Sequence, residues 1–181
     1  MKKWKKLLLG LTSVLLLLIA VGFVLPNSAR VEQSILIQAE AGKVYRRIAS
    51  LRLWPEWTAW TTNRFPDMQV RFAGTESGVG QVMIAEGKSS GNGTVRIIKA
   101  DPALGIEYEL NFERGTQIFH GSILYEKTTN GLKVVWTLHA PLGANPVKRW
   151  IGLAFDRLMS GDMATGLRNL KQQTEASPDG K

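Results

Sequence analysis

The stretch NPVKRWIGLAFDRLMSGDMATGLRNLKQQTE, Asn145–Glu175, decides the fold, because it is the only long helical pattern in a chain otherwise rich in strands. Pro146 suits a first helical turn, where an N–H would have no intrahelical partner to lose. Val147, Trp150, Ile151, Ala154, Leu158 and Met159 then recur at helical spacing, which puts them on one wide apolar face. Ser160-Gly161-Asp162 interrupts the pattern with a flexible glycine and an aspartate able to accept from a new first turn. The stretch therefore predicts two helices or one bent one. Met163, Gly166, Leu167 and Leu170 continue the stripe, while Arg168 and Lys171 face outward near the negative helix end. Such a helix needs a partner surface.

The material for that surface lies between Val31 and His139. Val31–Gln38 reads as a first strand, and Ala41–Leu51, with Val44, Tyr45, Ile48 and Leu51, as an amphipathic helix. Trp54-Pro-Glu-Trp57-Thr-Ala-Trp60 follows, and its proline breaks the first helix and permits a second short one. Candidate strands come next at Gln69–Phe72, Gly80–Ala85, Thr94–Ala100, Gly105–Glu113, Thr116–Glu126 and Leu132–His139. Turn signals separate most of them, among them Ser90-Gly-Asn-Gly93, Asp101-Pro102 and Asn130-Gly131.

Alternation shows which face is covered. Ile106, Tyr108, Leu110 and Phe112 point one way, and Glu107, Glu109, Asn111 and Glu113 the other. Leu132, Val134, Trp136 and Leu138 likewise oppose Lys133, Val135, Thr137 and His139, whereas Thr116–Glu126 carries polar residues on both faces. One apolar sheet face and one striped terminal helix imply an α+β fold, a curved antiparallel sheet curled round the C-terminal helix.

Leu7–Leu25 is an uncharged run long enough to cross a hydrocarbon core of roughly 30 Å. Lys2, Lys3, Lys5 and Lys6 precede it and only Arg30 closely follows, which predicts a cytoplasmic N-terminus and an extracytoplasmic body, periplasmic or at the cell surface in a bacterium. A cleaved signal peptide is the competing reading, but Asn27-Ser28-Ala29 is a poor cleavage site. The expected organisation is residues 1–6 cytoplasmic, 7–25 transmembrane, 26–30 linker, 31–175 folded domain and 176–181 flexible tail. The formal charge of +8 is half due to the leading lysines: removing four of 23 Lys and Arg leaves 19 against 15 Asp and Glu. That body lacks the clustered basic patch a nucleic-acid partner requires. Absence of cysteine excludes disulfides, cysteine-linked lipid and thiolate zinc sites.

With these segments laid out, the sequence resembles the START-like superfamily, also called SRPBCC. Within it the chain is similar to the polyketide cyclase/dehydrase and lipid transport family, as a membrane-anchored member. The residues carrying the resemblance are Val31-Glu-Gln-Ser-Ile35, the tryptophan cluster at 54–60, Gly78-Val-Gly80, Gly91-Asn-Gly93 with Ile97, and Pro102 with Ile106, Tyr108 and Leu110. Val134-Val-Trp136, Gly161-Asp162 and Gly166-Leu-Arg-Asn-Leu170-Lys171 complete it. It implies a helix-grip fold, about seven antiparallel strands round a C-terminal helix, with a cavity between them for hydrophobic small molecules. Related chains often carry tryptophan in the third strand, where this one has Met83-Ile-Ala85.

The implied function is binding of a hydrophobic small molecule or lipid by a tethered extracytoplasmic module, with no cofactor and no metal. Tyr108, Phe112 and Trp136, on the inner face, are candidate cavity lining, and Met159 and Met163 supply an adaptable wall. Trp57 joins them from the cluster of Trp54, Trp57 and Trp60, which could gate or line a cavity and reads otherwise as a cap over one end of the core. His120 and Ser122 share a strand face, but nothing in the sequence orients them as a nucleophile and base. Two alternatives stand beside this reading. One is a cyclase- or dehydratase-type enzyme in which His120 or Tyr108 moves a proton. The other is a structural module filled by its own side chains.

Overall fold

A strand whose apolar residues alternate with polar ones buries one face only, and this chain repeats that pattern until a single sheet is wide enough to curl. The computed structural model describes residues 2–112 and 117–176. Glu113, Thr116 and the tail residues 177–181 lie outside the described residues.

In order the elements are α1 (Lys2–Val24), β1 (Ser28–Ile37), α2 (Ala41–Ile48), a 3-10 turn (Leu51–Leu53) and α3 (Trp54–Trp57). Strands β2 (Gln69–Ala73), β3 (Val82–Glu86), β4 (Gly93–Asp101), β5 (Gly105–Phe112), β6 (Gln117–Thr128) and β7 (Gly131–Pro141) follow, then α4 (Pro146–Gly152) and α5 (Phe155–Glu175). The seven strands form one antiparallel sheet in the order β1-β7-β6-β5-β4-β3-β2. The first strand thus returns to pair with the last, from Ser28 opposite Pro141 to Ile37 opposite Leu132. A register shift between Ile97 and Lys99 bends β4 against β5 and helps the sheet curve. The chain enters the sheet at Ser28, three residues before Val31, because β7 offers pairing partners that far along.

The grip closes on α5, whose Met163, Gly166, Leu167, Leu170 and Thr174 are buried against the inner face. Gly166 sets the spacing: a Cβ there would stand 2.9 Å from Cζ3 of Trp136, so only glycine lets helix and sheet approach this closely. At the far end of α5, Lys171 donates to the Leu36 carbonyl at 2.7 Å, and Glu175 accepts from the Gln38 N–H at 2.5 Å. These bonds hold the last turn of α5 on β1.

The terminal stretch is two helices, but the break falls elsewhere than Ser160-Gly161-Asp162. Leu153 and Ala154 donate to the carbonyls of Trp150 and Ile151 in tight turns, and α5 then runs unbroken through Gly161. The local reason lies at Gly152, where a Cβ would strike Leu142 Cδ1 at 2.2 Å, so the chain is pinned to the end of β7 and must turn there. Asp162 caps nothing and instead meets Arg64 at 2.7 Å. Val147, Trp150, Ile151 and Leu158, expected on a buried face, are exposed. The first three lie on α4, which packs on α1, and Leu158 lies on the first turn of α5.

By length and composition Lys3–Val24 qualifies as a membrane span, a test that a signal sequence near the N-terminus also passes.

Candidate functional site

Where α3 and α5 cross the inner face of the sheet, their side chains leave a cavity of about 90 Å³. The sheet supplies Val95, Tyr108, Leu110, Trp136 and Leu138 as its floor, α5 supplies Met163, and Trp54, Thr58 and Trp60 form the side over α3. The rim is made by Phe112 with Ser90, Gly91 and Gly93 from the turn between β3 and β4. Gly91 takes φ 73°, a conformation in which a side chain would be strained. Nearly every lining group is apolar, so water inside finds few partners.

Tyr108 anchors the polar end. Its register partner on β6 is Gly121, and a Cβ at that position would lie 2.0 Å from Tyr108 Cζ. The phenol ring therefore fills the space that a side chain at 121 would need. The Tyr108 hydroxyl accepts from Trp136 Nε1 at 2.7 Å, and Trp54 stands edge-on to the Tyr108 ring at 5.1 Å. Burial raises the Tyr108 pKa against the opposing effect of the Trp136 hydrogen bond, so the group is a neutral hydroxyl at any physiological pH. Among the described residues no acceptor takes its proton.

Of the six residues expected to line a cavity, four do so: Tyr108, Phe112, Trp136 and Met163. Trp57 is fully buried behind the wall, wedged edge-on between Trp54 at 5.5 Å and Trp136 at 5.4 Å. Its Nε1 is buried without a hydrogen-bond partner among the described residues. Met159 is half-buried and packs on the core without reaching the lining. The tryptophan cluster is thus partly cap and partly wall, with Trp54 and Trp60 lining and Trp57 supporting.

Met68, Val70, Met83 and Ala85 also line the cavity, and sequence reasoning did not single them out as lining. They lie on or beside the short strands β2 and β3, whose alternation is too brief to mark an inner face. Gln81 was also missed. It is fully buried, accepts from the Leu51 N–H at 2.6 Å and donates to the Glu76 carbonyl at 2.5 Å, tying the 3-10 turn to the start of β3.

His120 is corrected as a proton carrier. It is exposed on the outer sheet face, opposite Glu109 on β5 and His139 on β7, with Ser122 on the same side. It is not among the residues that line the cavity. Glu107 is likewise outside and pairs with Lys99 at 3.0 Å.

A family model described as polyketide cyclase / dehydrase and lipid transport matches residues 28–175. Solved structures with little sequence in common share the fold. The di-domain ARO/CYC StfQ from the steffimycin biosynthetic pathway superposes with TM-score 0.61 at 12% identity, covering 82% of this chain and 51% of that one. The Aha1 dimer from Colwellia psychrerythraea gives 0.58 at 18% identity, with 82% and 97% covered. CV1439 from Chromobacterium violaceum gives 0.53 at 16% identity, with 84% and 100% covered. The chain spans about half of StfQ and nearly all of the other two, and at these identities the likeness is one of fold. Among curated proteins none matches.

Proposed function

The chain belongs to the polyketide cyclase/dehydrase and lipid transport family, and from this premise we propose that it binds a small hydrophobic molecule, or part of a lipid, between sheet and C-terminal helix. The observation that carries the reading is the apolar cavity of about 90 Å³ floored by Tyr108 and Trp136. An engineered apolar cavity of about 150 Å³ takes up benzene, so the present smaller one suits a short alkyl stretch as it stands. Larger guests require Met83 and Met163 to re-pack, for which their unbranched, flexible side chains are suited. Binding is driven by removal of apolar ligand surface from water, at about 25 cal/mol per Å². The Tyr108 hydroxyl orients whichever end of the guest carries an oxygen.

The leading lysines and the apolar run of α1 support a tethered module, its N-terminus cytoplasmic and its body extracytoplasmic. The tether holds the cavity next to a reservoir of lipid. A proton-moving enzyme is less well supported, because the cavity offers one neutral phenol and His120 lies on the other side of the sheet.

Calorimetric titration of the full chain in amphipol with fatty acids from hexanoic to dodecanoic acid tests the binding. Saturable heat with a negative heat-capacity change, lost in Ala85→Phe, is expected. Absence of saturable binding at every chain length, with the fold intact, contradicts it.

A further inference from the structure

The apolar stripe of α4 does not join the core, and what it does touch is informative. Gly22 is the one buried residue among the described side chains of α1. A Cβ there would meet Pro146 Cβ at 2.6 Å, the kind of close approach small residues allow between helices in a membrane. Arg149 donates to the carbonyls of Phe23 at 2.6 Å and Leu25 at 3.1 Å, satisfying carbonyls that the end of α1 leaves without helical partners. Trp150 Nε1 reaches further back, to the Leu18 carbonyl at 3.0 Å. Leu18 lies seven residues before Leu25, about 10 Å along the helix at its usual rise. The short helix therefore runs beside the last two turns of α1.

Val147, Ile151, Leu153 and Leu158 are 62%, 60%, 58% and 65% exposed on this segment, and the apolar residues of α1 beside it are exposed as well. Because α4 packs on α1, the two apolar surfaces lie side by side, with Lys148 and Arg157 among the polar residues in the same segment. We infer that α4 and the first turn of α5 form a second membrane contact, lying in the interfacial layer of the bilayer that α1 crosses, with Val147, Ile151, Leu153 and Leu158 among the acyl chains. Trp150 takes the depth at which tryptophan is enriched, and the basic residues meet headgroup phosphates. The inference rests on the reading of α1 as a retained span.

It also sets the direction in which the cavity opens. Antiparallel pairing brings the start of β1, the end of β7, the start of β4 and the end of β5 to one end of the sheet. The rim residues Gly91, Gly93 and Phe112 belong to that end, the one from which α1 leaves. Under this inference the rim of the cavity stands on the lipid side.

The native chain has no cysteine, so single-cysteine variants report one position each. Ile151→Cys, Leu158→Cys, Leu16→Cys and Lys127→Cys are spin-labelled in the full chain and placed in phosphatidylcholine/phosphatidylglycerol vesicles. Collision with oxygen is compared with collision with a water-soluble nickel chelate. Labels at 151 and 158 are expected to favour oxygen several-fold over the label at 127, approaching the label at 16. Gly22→Leu, by prying α4 from α1, is expected to lower the ratio at 151 and leave that at 16 unchanged. Aqueous values at 151 and 158 with a lipid value at 16 overturn the second contact and leave the anchor standing. An aqueous value at 16 overturns the anchor and the second contact with it.

Discussion

Gly121 and Tyr108 show how one residue fixes another's place. The ring of Tyr108 occupies the volume that any side chain at 121 would need, with a Cβ only 2.0 Å from Cζ. Gly121→Ala must therefore expel the ring or bend β6, and a loss of about 1–3 kcal/mol in denaturant unfolding is expected, as for other overpacked cores. An unchanged midpoint would mean that the ring has another place to go. Tyr125 is held differently: its hydroxyl donates to the Pro102 carbonyl at 2.7 Å, and burial, then the neighbouring Tyr45 and Asp101, push its pKa up to about 12. A phenol harder to ionise in the folded state than in the unfolded one stabilises the fold fully below the unfolded value of about 10. That contribution is lost as pH rises through about 12. Ultraviolet titration of the wild-type chain against Tyr108→Phe and Tyr125→Phe variants should show little phenolate from either residue until pH approaches 12. Ionisation of both near the free value would show that neither site is dry. The chemistry of these residues was readable only as alternation on a strand; the pairing of Tyr108 with a glycine and a tryptophan is a product of register.

At the scale of elements, the strands were legible and the joints were not. Ile106 to Phe112 and Leu132 to Leu138 alternate so regularly that the inner face follows from the pleat alone. The terminal helices followed a helical period too, but a period says only that a face is apolar. It does not say whether that face meets the body's own core, another helix or lipid, and Val147, Ile151 and Leu158 fall outside the core for that reason. Gly161 misled in a second way: it looks like a hinge, yet it lies inside α5 with nothing within 4 Å of a Cβ. Gly161→Ala should therefore stabilise the protein by about 0.5–1 kcal/mol. Gly166→Ala should destabilise it, because its Cβ meets Trp136 at 2.9 Å. Thermal melts of the two variants moving in opposite directions would support an unbroken α5. A lower melting temperature for Gly161→Ala would restore the hinge.

Over the whole molecule, one sheet closes on one helix without filling the space between, and a membrane-compatible helix leaves from the end where that space has its rim. The fold could be anticipated because it depends on patterns repeated along the chain. The cavity could be anticipated only in part, since its size depends on which side chains happen to be small: Ala85 and Gly93 beside Met83, and a glycine under Tyr108. Ala85→Phe, filling the void from β3, is expected to leave the fold and the α1–α4 packing intact while excluding the guest. Native mass spectrometry of the full chain released from the membranes in which it was made tests the occupancy of that void most directly. A protein population carrying a small hydrophobic adduct, absent from Ala85→Phe, is expected. A wild-type chain found only at its bare mass, and unmoved by added fatty acid, would contradict it.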